Sequence, residues 1–114
     1  MERPNRGERS VEVKFLPAAK NRLLEIWDYT ERTWGEAQAN KYVRGLVGAI
    51  HEVADGRRQW RPVLDEGLRG VYFIRYERHF IFFRSLSGDA IGVISVLHEN
   101  MNIPMRLRDD DANQ

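Results

Sequence analysis

The stretch Val71–Arg84 constrains the fold of this chain more than any other. It reads Val-Tyr-Phe-Ile-Arg-Tyr-Glu-Arg-His-Phe-Ile-Phe-Phe-Arg and holds six aromatic residues. β-Branched and aromatic side chains favour a pleated, half-buried surface, and the charged pair Glu77-Arg78 splits the run in two, so a β-hairpin is predicted. A symmetric turn pairs Tyr76 with His79, Ile74 with Ile81 and Tyr72 with Phe83. Because side chains alternate across a strand, one face then carries Tyr72, Ile74, Tyr76, His79, Ile81 and Phe83. That face reads as core. The other carries Val71, Phe73, Arg75, Phe80, Phe82 and Arg84, a mixture of guanidinium groups and aromatic rings that a purely structural surface rarely needs. An odd-length turn would exchange the two faces.

A chain of 114 residues allows one domain and one substantial core. It has no cysteine, which excludes disulfides, thiolate metal sites and a cysteine nucleophile. No apolar run approaches the ~20 residues of a membrane helix, and the first ten residues lack the apolar segment of a signal peptide. A cytoplasmic protein with no membrane association is therefore expected. The net charge of +1 conceals an uneven distribution. Residues 57–84 hold seven arginines against three acidic residues, whereas residues 85–114 hold two arginines against five. A protein that neutralises a phosphate backbone is usually more basic overall, but the basic middle suits a local contact with phosphate or with an acidic protein.

Residues 1–10 are polar and without hydrophobic period, and are predicted to be a flexible leader. From Ser10 to Leu16 the pattern alternates, with Val11, Val13 and Phe15 on one side, as in a half-buried strand. Pro17 suits the first turn of a helix, and Leu23, Trp27, Thr30 and Trp34 then recur at steps of three and four. Gly35 is placed to end that helix. A second helix is predicted from about Glu36 to Ala54, with Ala39, Val43, Leu46, Val47, Ile50, Val53 and Ala54 as its apolar stripe. Gly45 and Gly48 interrupt it, and such small residues would let the first helix approach closely. Helices joined this tightly form an antiparallel hairpin. Residues 55–70 read as a loop pinned by Trp60. After the central hairpin, Ser87-Gly88-Asp89 marks a turn, and Ile91–Leu97 has the continuous apolar character of a strand covered on both faces. Met101–Leu107 is a partly apolar tail. The expected organisation is a leader at 1–10, a single α+β domain at 11–107 in the order β-α-α-β-β-β, and a frayed acidic tail at 108–114.

These residues carry a family resemblance. Leu16-Pro17-Ala18-Ala19 opens the first helix, followed by Ile26-Trp27-Asp28-Tyr29 and then Trp34-Gly35 with Ala37 and Ala39. Leu68-Arg69, Phe82-Phe83-Arg84 and Val96-Leu97-His98 with Met101-Asn102 complete the series. In this order and spacing, from about Val11 to Leu107, the chain resembles the ParE branch of the RelE/ParE superfamily of bacterial toxins. The resemblance implies an N-terminal strand and helical hairpin packed on a small antiparallel sheet. It implies an antitoxin partner of the ParD kind and, for the ParE branch, poisoning of DNA gyrase and a block to replication. DNA would then be reached only indirectly, through gyrase or the antitoxin. For the RelE branch it implies cleavage of messenger RNA on the ribosome. A non-lethal interaction protein of the same fold is the remaining alternative.

The candidate sites follow. Arg75 and Arg84 are either edge charges paired with Glu77, Glu99 or Asp89, or contact residues whose planar forks meet carboxylate or phosphate beside aromatic surface. Arg69 joins them through the family's Leu-Arg position. His98 is either a strand-end histidine satisfied by backbone or, in the nuclease alternative with Arg75 and Arg84, a general base. No tyrosine follows it, and the chain has only Lys14, Lys20 and Lys41, so a non-catalytic reading is preferred. The Met101–Leu107 segment either folds on the sheet or meets a partner. Target binding is thus assigned to Arg69, Arg75, Arg84, His98 and Met101. Antitoxin binding is assigned to Trp27, Trp34, Tyr42, Phe73 and Phe82, with core the preferred role for the two tryptophans. His51 and His79 have no convergent carboxylates, so neither metal nor cofactor is expected.

Overall fold

The computed structural model describes residues 11–114, and the predicted leader at 1–10 lies outside them. Five strands form one sheet in the order β1-β5-β4-β3-β2. They are β1 (Val13–Phe15), β2 (Arg61–Pro62), β3 (Val71–Tyr76), β4 (His79–Leu86) and β5 (Ala90–His98). Three helices accompany them: α1 (Pro17–Trp34), α2 (Glu36–Ala54) and α3 (Ile103–Ala112).

The central hairpin has the even register expected from its sequence. Tyr76 pairs with His79, Ile74 with Ile81 and Tyr72 with Phe83. Glu77 takes a positive φ of 53°, as two-residue hairpin turns require if the strand twist is to continue through them. Beyond the hairpin, β4 pairs antiparallel with β5, but a bulge falls between Phe82, opposite Ser95, and Phe83, opposite Val93. The extra residue, Ile94, shares a face with Ser95, so β5 buries adjacent side chains on one side. β1 pairs parallel to β5, through Val13–Phe15 and Ile91–Val93, and so departs from the purely antiparallel sheet expected. β2, only two residues long, adds a strand within the predicted loop.

Pro17 stands at the start of α1, where its missing N–H costs nothing. Gly35 ends α1 and begins α2 as a single residue with φ 96°, so the two helices must double back as a hairpin. They cover one face of the sheet. Leu46, Ala49, Ile50 and Val53 of α2 and Ala19 of α1 pack there against Ile74, Ile81, Phe83, Val93 and Val96. The glycines of α2 do not serve the approach of α1. A side-chain carbon at Gly45 would instead overlap the Tyr76 ring of β3, and one at Gly48 would meet nothing within 4 Å.

The opposite face is a second core rather than an open surface. Val71, Phe82, Ile94 and Leu97 are buried there against Leu68 and Leu107, with Phe73 and Phe80 partly covered. The cover is α3. Asn102 caps it by accepting a hydrogen bond from the Met105 N–H, and Pro104 sits in its first turn. The segment 108–114, expected to fray, is thus helical as far as Ala112. Two of its three acidic residues are partnered: Asp110 by Arg22 (2.9 Å) and Ser95 (2.5 Å), and Asp111 by Arg84 (2.6 Å). Paired in this way, the carboxylates reinforce the helix instead of repelling one another. Gln114 adds hydrogen bonds to the carbonyls of Ile94 and Asp110.

The two α2 glycines make opposite predictions. Gly45→Ala should lower stability by about 1–3 kcal/mol, because the Tyr76 ring must move within a packed layer. Gly48→Ala should leave stability unchanged or raise it by up to about 1 kcal/mol through helix propensity. Urea unfolding followed by circular dichroism compares them, and equal effects would contradict this packing.

Candidate functional site

On the helical side, the two-layer packing leaves a groove open. It lies where the C-terminal half of α1 and the start of α2 overhang the ends of β4 and β5, and its volume is about 700 Å³. The α1 wall is Ile26, Tyr29, Thr30 and Trp34, at helical steps of three and four, with Gln38 and Tyr42 continuing from α2. Arg78 and His79 of the hairpin, Val96 and His98 of β5, and Asn100 and Met101 beyond it supply the floor and far wall. Trp34 is 71% exposed and Tyr29 63%. Large rings standing in water at the mouth of a concave apolar surface are the composition of a protein-binding site.

The polar end of the groove is a linked set of rings. The Tyr42 hydroxyl lies 2.7 Å from His79 Nδ1, and the His79 and His98 rings meet edge to face at 5.1 Å. Burial, reinforced by the neighbouring His98, lowers the His79 pKa from 6.5 to about 4, so its imidazole is neutral at physiological pH. Burial also raises the Tyr42 phenol, which therefore keeps its proton. His98 Nδ1 accepts a hydrogen bond from the Asn100 N–H at 3.0 Å, which leaves the proton of the neutral ring on Nε2. The backbone thus satisfies Nδ1 of His98, while Nε2 has no hydrogen-bond partner among the described residues.

Beside this end, Glu99 accepts hydrogen bonds from Arg75 (2.5 Å) and Arg78 (2.8 Å). The Arg78 hydrogen bond, with help from Arg75, holds its carboxyl below the usual range. Arg22 closes the α1 side of the groove. It is paired with Asp110 and Glu25, and the Asp110 hydrogen bond raises its pKa against the opposing effect of burial.

The residues singled out in the sequence do not form one site. Trp34, Tyr42, His98 and Met101 meet in the groove. Trp27 does not line it: its indole N–H donates to Asn40 Oδ1 at 2.9 Å and ties α1 to α2. Trp27, half-buried, is a helix-to-helix contact outside the two core clusters, and core, the preferred role for both tryptophans, is wrong for Trp34. Trp34 is the last residue of α1, so its side chain projects beyond the layer that the helix packs against. Phe73 and Phe82 lie on the opposite side of the sheet, beneath α3. Arg75 and Arg84 are on that side too, so the trio Arg75, Arg84 and His98 is not assembled. Arg75 pairs with Glu99, as one reading allowed, and its guanidinium lies 5.3 Å from the Phe80 ring centre. Arg84 pairs with Asp111 rather than with Glu77, Glu99 or Asp89. Arg69 is exposed in the turn before β3. Tyr29, Ile26, Arg78 and His79 complete the groove without having been assigned to it. The signal for the α1 wall is the series Ile26, Thr30 and Trp34 at steps of four, which shares Thr30 and Trp34 with the predicted stripe and takes Ile26 in place of Trp27. Among the described residues, no cluster of three metal-ligating side chains occurs, and no helix is long and apolar enough to cross a membrane.

Known proteins share both the fold and the sequence. The chromosomal ParDE toxin–antitoxin system from P. aeruginosa superposes with a TM-score of 0.65 at 20% identity, covering 79% of this chain and 97% of that one. The RelBE2 toxin–antitoxin complex of Mycobacterium tuberculosis gives 0.50 at 18% identity, covering 78% and 91%. These likenesses define the class by fold: an α+β domain of the RelE/ParE type.

Sequence narrows this further. The profile of the family described as the ParE toxin of the type II toxin–antitoxin system parDE matches residues 13–103. Toxin ParE1 of Mycobacterium tuberculosis is 37% identical over 91 residues, 80% of this chain and 92% of its own length. Toxin ParE1 of Caulobacter vibrioides is 38% identical over 85 residues, covering 74% and 84%, and Toxin ParE of Escherichia coli is 32% identical over 87, covering 76% and 84%. The chain belongs to the ParE toxin family of the RelE/ParE superfamily.

The buried His79 gives the site a pH signature. Its folded pKa lies below its unfolded value, so the unfolded state binds more protons between pH 6.5 and about 4. Stability is fully present above pH 6.5 and falls as the pH drops through that window. Glu99 acts in the same direction at its acidic end. Urea midpoints measured at pH 7.5, 6 and 5 should fall in the native protein and fall less in His79→Gln; parallel slopes would contradict the assignment.

Proposed function

We propose that this toxin acts by binding, arresting DNA gyrase and so blocking replication. We further propose that a ParD-like antitoxin neutralises it by laying an amphipathic helix in the groove. The gyrase reading rests on membership of the ParE family. The observation that carries the antitoxin reading is the pair of exposed rings, Trp34 and Tyr29, facing Met101 and the His79–His98 end across a preformed concavity. Such a groove suits a helix whose apolar side chains recur every three or four residues. A segment that orders on binding would cover it while remaining adaptable elsewhere. Trp34, Tyr42 and Met101 are the proposed anchors, and His98 a hydrogen-bond donor through Nε2. Arg69 and Arg75 are proposed as contacts to the target, on a part of the surface the groove occupant leaves free. The toxin would work in the cytoplasm, reaching DNA only through gyrase or through the antitoxin. It would require no cofactor.

A binding mode without covalent chemistry is supported by the separation of Arg75 and Arg84 from His98 by the sheet, and by their pairing with Glu99 and Asp111. The test adds purified protein to a gyrase supercoiling reaction and, separately, to ribosomes translating a defined message. Supercoiling should be inhibited, antitoxin should restore it, and the message should remain intact. Message cleavage with normal supercoiling would overturn the proposal in favour of a RelE-type nuclease; inactivity in both would favour a non-lethal interaction protein. Trp34→Ser should weaken antitoxin binding by about 2 kcal/mol, roughly thirtyfold, while leaving the unfolding midpoint unchanged. Calorimetry and urea unfolding read the two effects separately.

A further inference from the structure

The helical side carries a second concavity at the other end of the sheet. The groove lies where His79 pairs with His98, and this cleft lies where the same two strands meet at Leu86 and Ala90. Its volume is about 580 Å³, and Val53 and Ala54 at the end of α2 form one wall. Tyr72 and Phe83, which belong to the core beneath α1 and α2, form the floor. Trp60 stands at the rim 49% exposed, its ring centre 4.6 Å from that of Tyr72 and the two planes at 64°. Arg61 and Pro62 pair with Phe73 and Tyr72, so alternation puts Trp60 on the Tyr72 side of the sheet. Two aromatic planes set at this angle form a corner rather than a flat patch.

Charge and ring chemistry limit the occupant. Among the described residues, the charged side chain lining the cleft is Asp89, which is exposed and makes no hydrogen bond or ion pair. Arg57 and Arg58, which follow α2, are paired with Asp55 and Glu52 instead. Ser85, also exposed, adds a hydroxyl acceptor. An unpaired carboxylate repels phosphate and other carboxylates, so neither a nucleic acid nor an acidic segment suits the cleft. A positive group gains from both features, pairing with the carboxylate and lying over the negative face of a ring. Of the cations a guanidinium fits best, since its plane stacks on a ring while its edge donates parallel hydrogen bonds to a carboxylate. A free organic cation would stay largely hydrated against groups this exposed. An arginine within a protein brings neighbouring side chains that cover the apolar floor.

We propose that the cleft between the end of α2 and the β4–β5 turn docks an arginine side chain of a partner protein, by stacking on Trp60 and Tyr72 and pairing with Asp89. The site lies at the opposite end of the sheet from the groove and stands independently of the function assigned to the groove.

Titration of the full chain with the capped tripeptide Leu-Arg-Leu, followed by nitrogen–proton correlation spectra, tests this. The indole N–H signal of Trp60 and the amides of residues 85–89 should shift saturably, while the Trp34 indole stays in place. Asp89→Asn and Trp60→Ala should each raise the dissociation constant about tenfold. Asp89 is exposed, so Asp89→Asn should keep the native circular dichroism spectrum and carries the test if the tryptophan variant does not fold. Five results would overturn the proposal. They are no saturable shift, unchanged affinity in Asp89→Asn, and equal binding when lysine or norleucine replaces the arginine. The others are equal binding of tetramethylammonium, which would mark a small-cation site, and self-association in sedimentation that Asp89→Asn abolishes, which would make a second copy the occupant.

Discussion

A single carboxylate joins the two layers that sandwich the sheet. Asp110 of α3 accepts hydrogen bonds from Ser95 on β5 and from Arg22 on α1, at 2.5–3.2 Å, with little exposure to solvent. β1 pairs only with Ile91–Val93, so the edge of β5 beyond it is open to this contact, and Gln114 takes the Ile94 carbonyl there. A charge so enclosed stabilises only while its partners remain, since removing one commonly costs about 3–5 kcal/mol. The same contact fixes Arg22, which forms one wall of the groove. The position of the helix on one face is thus coupled to the shape of the concavity on the other.

The sheet itself separates two chemistries. On the side of α1 and α2, aromatic residues at the end of α1 face a histidine pair whose buried member, His79, is neutral, with a tyrosine proton held between elements. On the side of α3, guanidinium groups surround phenylalanines, and most of those charges are already matched within the chain. Arg84 with Asp111, Arg75 and Arg78 with Glu99, and Arg108 with Asp65 each pair a basic residue from the middle of the chain or α3 with an acidic residue distant in sequence. The uneven charge distribution along the sequence is therefore largely folded back on itself. Little remains that would draw the molecule to a bare phosphate backbone, whereas the apolar concavities remain open to proteins.

Much of this architecture was legible in the sequence. The hairpin register followed from an even turn and strict alternation, and the α1–α2 hairpin followed from Pro17 and Gly35. Local rules sufficed because local contacts decide those features. α3 is not legible for a physical reason: Asp109–Asp111 in isolation signal fraying, and the partners of Asp110 and Asp111, which are Arg22, Ser95 and Arg84, are far away in sequence. β2 was too short to carry a period, and the parallel pairing of β1 depends on where β5 ends up. The second face of the hairpin reads as a partner surface in the sequence because its internal cover, α3, carries no strong apolar period. At the groove, the sequence reading divides the four residues, giving Trp34 and Tyr42 to the antitoxin and His98 and Met101 to the target, whereas one concavity holds them all. Their convergence is not legible, because it arises from the crossing of α1 over β5 rather than from any sequence motif.

The central claim is that partner recognition occurs in the groove of α1 and the β5 end, with the α3 side left free. Hydrogen exchange of the full chain, alone and saturated with its antitoxin, tests it directly. Protection should rise across residues 26–42 and 98–101 while α3 and the β2–β3 loop keep their free-protein rates. Protection concentrated at residues 61–68 and 103–112, with the groove unchanged, would contradict the account.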